Sequence, residues 1–140
     1  MKQFHIGVKG VIVQDGYVLV LRKANKTYEG LKRYWEFPGG RIEEGETFEA
    51  AFQRELSEEL PGVRLKSLGK LLHAEPVPKY EDYPDFGLIL MFFQVEVEPI
   101  VGSVDLSDEH DAYDWVKPKD AVKLVSGHHQ KAVAELLART

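Results

Sequence analysis

Residues 4–13, FHIGVKGVIV, are rich in β-branched side chains and run into Asp15-Gly16. Such a run predicts a strand, and Asp-Gly ahead of a second apolar run predicts a tight hairpin. YVLVLR (17–22) is the returning strand, and KANKTYEGLKRY (23–34) reads as a loop. WEFPGGRIEEGE (35–46) holds a Pro-Gly-Gly turn and a further glycine, so it is an irregular stretch around a short strand. At Thr47 the period changes. Phe48, Phe52, Leu56 and Leu60 recur every fourth residue with Ala51 beside them, the stripe of an amphipathic helix. Thr47 or Glu46 is placed to cap its start, and Pro61-Gly62 ends it.

Beyond the helix, VRLKSLGKLLHA (63–74) predicts a strand and EPVPKYEDYPD (75–85) a proline-rich loop. FGLILMFF (86–93) has no polar alternation. A strand of that kind is covered on both faces, so 86–97 is expected in the centre of the sheet. AYDWV (112–116) is a further short strand, and 117–125 and 128–140 are helical. Strands, helix, strands, helix is the order of an α/β protein, a mixed sheet with helices packed on its faces. The 140 residues suit a single domain over 1–140.

Composition narrows the function. With 44% hydrophobic and 29% charged residues, a packed core is attainable. The absence of cysteine removes disulfides, thiolate zinc sites and a cysteine nucleophile, and fits a reducing, cytoplasmic setting. The net charge of -5 argues against extended nucleic-acid binding. The first residues lack a signal-peptide core, and an eight-residue apolar run is too short to span a bilayer, so no membrane partner is expected.

The chemistry concentrates in RELSEEL (54–60). On a helix Glu55 lies beside both Glu58 and Glu59, and like charges at that spacing repel. Taken alone, a solvated face accounts for them. Upstream, however, Gly39-Gly40 makes a sharp turn before Glu43, Glu44 and Glu46. Hard oxygen ligands gathered in this way suit Mg²⁺ or Mn²⁺, which would relieve the repulsion and act on phosphoryl groups.

Gly40, five residues, Glu46, seven residues, then Arg54-Glu55-Leu56-Ser57-Glu58-Glu59 resembles the Nudix box, and the preceding WEFPGG resembles the approach to it in MutT-like nucleoside triphosphate pyrophosphohydrolases. Pro61 stands where that family usually has a glycine, with Gly62-Val63 one place later, as though one residue were inserted at the helix exit. The resemblance implies a Nudix-type α/β/α sandwich. It implies Glu55, Glu58, Glu59 and the Gly39 carbonyl as metal ligands, with Glu109 of LSDEHDAYDWV (106–116) joining from a later loop and Asp108 and Asp111 as rivals. Arg54 and Glu46 would be the pair that orients the glutamates, Gly40 their structural support, and Glu58 or Glu109 the general base. Arg22 and Lys23 resemble a MutT-like basic pair. With Arg41 and Tyr80 they are the expected substrate contacts, in a chain acting as monomer or homodimer on a small nucleotide.

The implied reaction is Mg²⁺-dependent hydrolysis of a diphosphate linkage, foremost in a (deoxy)nucleoside triphosphate, ordinary or oxidised. Dinucleoside polyphosphates, ADP-ribose and nucleotide sugars are the alternative substrates, and a non-catalytic nucleotide sensor is the alternative of another class. Residues 22–33 carry five cations against Glu29, either a phosphate-facing rim or a solvated loop. Trp35 and Trp115 read as core or pocket wall, His128-His129 as a helix start on the surface, and His110 as a surface histidine beside Glu109.

Overall fold

One strand organises the molecule. β1 (Gln3–Gln14) bonds to β6 (Phe86–Val97) in parallel over most of its length, from Gln3↔Phe86 to Ile12↔Val95. Its other edge is divided, Gly7–Lys9 pairing with β4 (Gly39–Arg41) and Val13–Gln14 with β2 (Tyr17–Lys23), both antiparallel. β2 carries β3 (Trp35–Glu36) and β7 (His110–Val116), and β5 (Leu65–Val77) closes the far side on β6. The computed structural model describes residues 3–24, 35–77 and 86–139. Residues 25–34 of the predicted loop 23–34 and 78–85 of the predicted loop 75–85 therefore lie outside the described residues, Tyr80 among them, while Lys23 ends β2.

The hairpin forms where expected. Asp15 and Gly16 both take positive φ, 54° and 81°, the combination that matches the twist of flanking strands. α1 (Phe48–Glu59) begins at Thr47, whose Oγ1 accepts from the Ala50 N–H at 3.1 Å, so the cap is Thr47 rather than Glu46. Glu46 instead accepts from the Glu43 N–H in the preceding loop. The exit runs through Leu60 to Gly62 at φ 92°, a turn that glycine adopts without strain.

α1 lies on one face of the strands and α2 (Pro118–Leu124) and α3 (Gly127–Ala138) on the other. Phe52, Leu56 and Leu60 bury against Val8, Ile12, Leu19 and Leu21. Ala132, Val133 and Leu136 bury against Val11, Phe37 and Phe92. β6 serves both layers, with Leu88, Leu90 and Phe92 in one cluster and Phe93, Val95 and Val97 in the other, which is why its sequence shows no alternation.

Three expectations need correction. Phe48, first of the helical stripe, stays partly exposed and touches Phe93 at 5.7 Å between ring centroids. β5 starts at Leu65 and runs to Val77, so Glu75–Val77 are strand rather than loop. The ladder to β6 continues through Glu75↔Leu90 and Val77↔Leu88, and an edge strand tolerates Pro76. β7 likewise begins two residues early, at His110. Among the described residues no helix is long and apolar enough to cross a membrane.

Candidate active site

The Gly39-Gly40 turn places α1 against β4. A Cβ on Gly40 would lie 2.3 Å from the carboxylate carbon of Glu55, so the helix carboxylate occupies the space a side chain would need. Gly39 has φ 137°, and a Cβ there would meet the Val8 carbonyl oxygen at 2.0 Å. The Gly39 N–H donates to Glu59 Oε2 at 2.8 Å, fastening the end of the helix to the turn.

Arg54 organises the outer half of the site. Its Nε and one terminal nitrogen both donate to Glu46, each at 2.9 Å, and the second also donates to the Arg41 carbonyl at 3.0 Å. Its remaining nitrogen reaches Glu55 at 2.8 Å and Glu58 at 3.7 Å. A planar fork of this kind fixes several carboxylates at once. The bonds from Arg54 hold the Glu46 carboxyl down at about 2. Burial pushes Glu55 up, against its bond from Arg54.

The inner half is buried; of its members sequence reasoning named Glu59, put His110 on the surface and missed Lys9 and Glu36. Glu36, 8% exposed, receives Lys9 Nζ on Oε1 at 3.3 Å and faces His110 Nε2 across 3.0 Å on Oε2. Burial alone would raise the Glu36 carboxyl. Lys9 and then the His110 bond outweigh it and hold it well below the usual carboxylate range. Glu59, also buried, is pushed up by burial to about 8, against the pull of Lys9 and of the Gly39 N–H. The signals that could have found this half were a lone lysine in an apolar strand and a glutamate next to Phe37 in WEFPGG.

Glu109 arrives from the loop before β7, where the Ser107 N–H donates to the Glu59 carbonyl at 3.1 Å. One carboxylate oxygen from each of Glu59 and Glu109 and one ring nitrogen of His110 lie within 4.8 Å of one another. His110 Nδ1 is buried without a hydrogen-bond partner among the described residues. This donor set, hard oxygens with one imidazole, fits a divalent cation of the Mg²⁺ or Mn²⁺ kind. The rival Asp111 is engaged elsewhere, accepting from Arg22 Nε at 2.7 Å, and Asp108 is not in the group.

Two histidine expectations are overturned. His110 is 5% exposed, a buried member of the site. His129 is also 5% exposed, because Phe37 and Phe92 stack about it at 5.4 and 5.0 Å and its Nδ1 accepts the Phe37 N–H. His128 is partly exposed and lies 3.0 Å from Glu75, which Lys131 also bonds. Of the expected substrate contacts, Arg22 is held by Asp111 and lies over the Trp35 ring at 5.9 Å. Lys23 follows at the register shift between β2 and β7, and Arg41 is exposed beside the turn.

The chain is similar to known proteins in sequence and in fold. A family model described as the NUDIX domain matches residues 3–137. An 8-oxo-dGTP diphosphatase from Proteus vulgaris is 33% identical over 97 residues, covering 67% of this chain and 77% of that protein. One from Escherichia coli (strain K12) is 35% identical over 97 residues, covering 69% and 68%. The crystal structure of a MutT protein from Methanosarcina mazei Go1 has the same fold, with a TM-score of 0.75 at 23% identity over 99% of this chain and 95% of that one.

Proposed function

The chain belongs to the Nudix family of hydrolases, and from that premise we propose that it cleaves nucleoside triphosphates, oxidised purine triphosphates among them, into a monophosphate and pyrophosphate. The observation that carries this reading is the carboxylate group of Glu55, Glu58, Glu59 and Glu109, braced by Arg54 on one side and by the Gly39-Gly40 turn on the other. Two relatives named for 8-oxo-dGTP supply the substrate class.

Those four glutamates, with the Gly39 carbonyl, are the groups that would hold Mg²⁺, or Mn²⁺ in its place. When bound, the ion would supply charge neutralisation at phosphoryl oxygens and a lowered pKa for a coordinated water. The chain's own groups do the rest. Arg54 fixes Glu55 and Glu58 in register. Glu58 and Glu109, both exposed to solvent, are the candidates to take the proton of the attacking water. Arg22, Lys23 and Arg41 provide positive charge for the substrate phosphates. Tyr80 is the proposed contact to the base. A cysteine-free chain with this activity suits the cytoplasm, where its nucleotide substrates are found.

A panel of ordinary and oxidised triphosphates, ADP-ribose, nucleotide sugars and dinucleoside tetraphosphates, assayed with Mg²⁺ for phosphate and pyrophosphate separately, tests the reading. Pyrophosphate from triphosphates, lost in Glu58→Gln, is the expected result. Nucleotide binding without turnover on any member would replace the enzyme by a sensor.

A further inference from the structure

We propose that His110 is a nitrogen ligand, through Nδ1, of the divalent ion held by Glu59 and Glu109, with Glu36 as the group that fixes its ring. The inference deepens the metal reading above and rests on it.

The ring is buried and only half used. His110 exposes 2% of its side chain, and its Nδ1 has no hydrogen-bond partner among the described residues. A buried polar atom left unpaired is costly, and native structures rarely keep one without a use for it. The other nitrogen is engaged. Nε2 faces Glu36 Oε2 at 3.0 Å, and Lys9 Nζ donates to Glu36 Oε1 at 3.3 Å. A carboxylate paired with an ammonium stays ionised and can only accept, so the ring proton belongs on Nε2. In the neutral ring the free lone pair is then on Nδ1. Histidines that bind metals are set up in this way. The carboxylate behind one nitrogen fixes the tautomer and the ring orientation, and makes the other nitrogen a stronger donor.

The partners are in reach. One oxygen each of Glu59 and Glu109 and one ring nitrogen of His110 lie within 4.8 Å of one another. With Nε2 on Glu36, the nitrogen left to complete that group is Nδ1. The backbone explains the convergence. The His110 N–H donates to the Ser107 carbonyl at 3.4 Å, the Glu109 N–H to Ser107 Oγ at 3.3 Å, and the Ser107 N–H to the Glu59 carbonyl at 3.1 Å. Ser107 thus ties the turn that carries both residues to the end of α1. β7 also holds an extra residue there. Arg22 pairs with Ala112 but Lys23 with His110, so Asp111 forms a bulge. Bulges re-aim neighbouring side chains, and here Asp111 turns to Arg22 while His110 is buried against Glu36. Because a neutral imidazole adds a ligand without adding negative charge, it leaves more of the ion's charge for a phosphoryl oxygen.

The test reads the ion's ligands directly. The full chain is loaded with substoichiometric Mn²⁺ and no other metal, and nitrogen couplings to the Mn²⁺ electron spin are measured by pulsed EPR. Unlabelled wild type is compared with wild type carrying ¹⁵N at histidine Nδ1, with wild type carrying ¹⁵N at histidine Nε2, and with His110→Gln. Expected is the large coupling of a directly bound nitrogen in the wild type, converted to that of ¹⁵N by the Nδ1 label alone and lost in His110→Gln. If His110→Gln does not fold, the labelled wild types carry the comparison, because no other histidine among the described residues belongs to the group. Mn²⁺ bound with no directly coupled nitrogen would overturn the role of His110 and leave the carboxylate reading intact. A coupling that follows the Nε2 label, or survives in His110→Gln, overturns it too. No Mn²⁺ bound by the wild type overturns both readings.

Discussion

Arg54 and Lys9 are the two cations that frame the site, and they work in opposite surroundings. Arg54 stands at the solvent edge on α1, with a rigid fork within 4.0 Å of four carboxylates, those of Glu43, Glu46, Glu55 and Glu58. Lys9 stands inside, on an apolar strand, with 13% of its side chain exposed and its ammonium 3.3 Å from Glu36. The outer cation, with 28% of its side chain exposed, is screened by water and salt more than the inner one. Outer changes should therefore register mainly in chemistry, and inner ones first in stability.

The sharpest blow to that comparison falls on the turn between the two halves. Gly39→Ala forces a Cβ onto the Val8 carbonyl at a φ that alanine avoids. A loss of more than about 4 kcal/mol is expected in denaturant melts. Next comes Glu36→Leu, which leaves Lys9 buried without its carboxylate and should cost about 3–5 kcal/mol. Adding Lys9→Met to it should recover most of that loss, since a buried pair removed whole is tolerated far better than one removed by half. If the double variant is no better than the single, the inner half is held by something other than this pair.

Arg54→Lys gives the outer contrast. Charge is kept but the fork is lost, so turnover should fall about 10–100-fold while the melting temperature hardly moves. A separate contrast, in pH, concerns His129. Burial, and then Lys9, hold its imidazole down at about 3. The unfolded chain takes up that proton near 6.5 and the folded protein does not, so stability should decline as pH falls from 6.5 towards 3. In His129→Gln that decline should be shallower, as melting temperatures taken between pH 7 and 4 would show.

The outer half was legible because its residues are local. Gly40, Glu46 and Arg54 to Glu59 fall within 20 residues, and helical spacing alone brings three glutamates together. The inner half is assembled from β1, β3, α1, β7 and the turn after β3, and the β1–β4, β2–β3 and β2–β7 pairings bring Lys9, Glu36 and His110 within reach. No periodicity announces that. His110 and His129 were misplaced on the surface for a related reason, since polar residues at the start of a predicted element look solvated until long-range partners cover them. The core strands and the amphipathic helix were readable because burial imposes a period on the sequence. β5 was cut short because its final residues are kept in place by a ladder rather than by their own composition.

The divided edge of β1 has a consequence for how the chain comes off the ribosome. The hairpin to β2 closes through the turn at Asp15-Gly16 and can form almost as soon as it emerges. The other edge of β1 must wait for residues 86–97, because its partner there is the parallel strand β6. Contacts so distant in sequence are slow to form, and an open strand edge is a template for mispairing in the meantime. The glutamate-bearing helix and its glycine turn are thus made before the strand that completes the sheet. During synthesis the nascent protein should carry its most acidic segment on an unfinished scaffold, and chaperones that shield strand edges would be needed until residue 97 has cleared the exit tunnel.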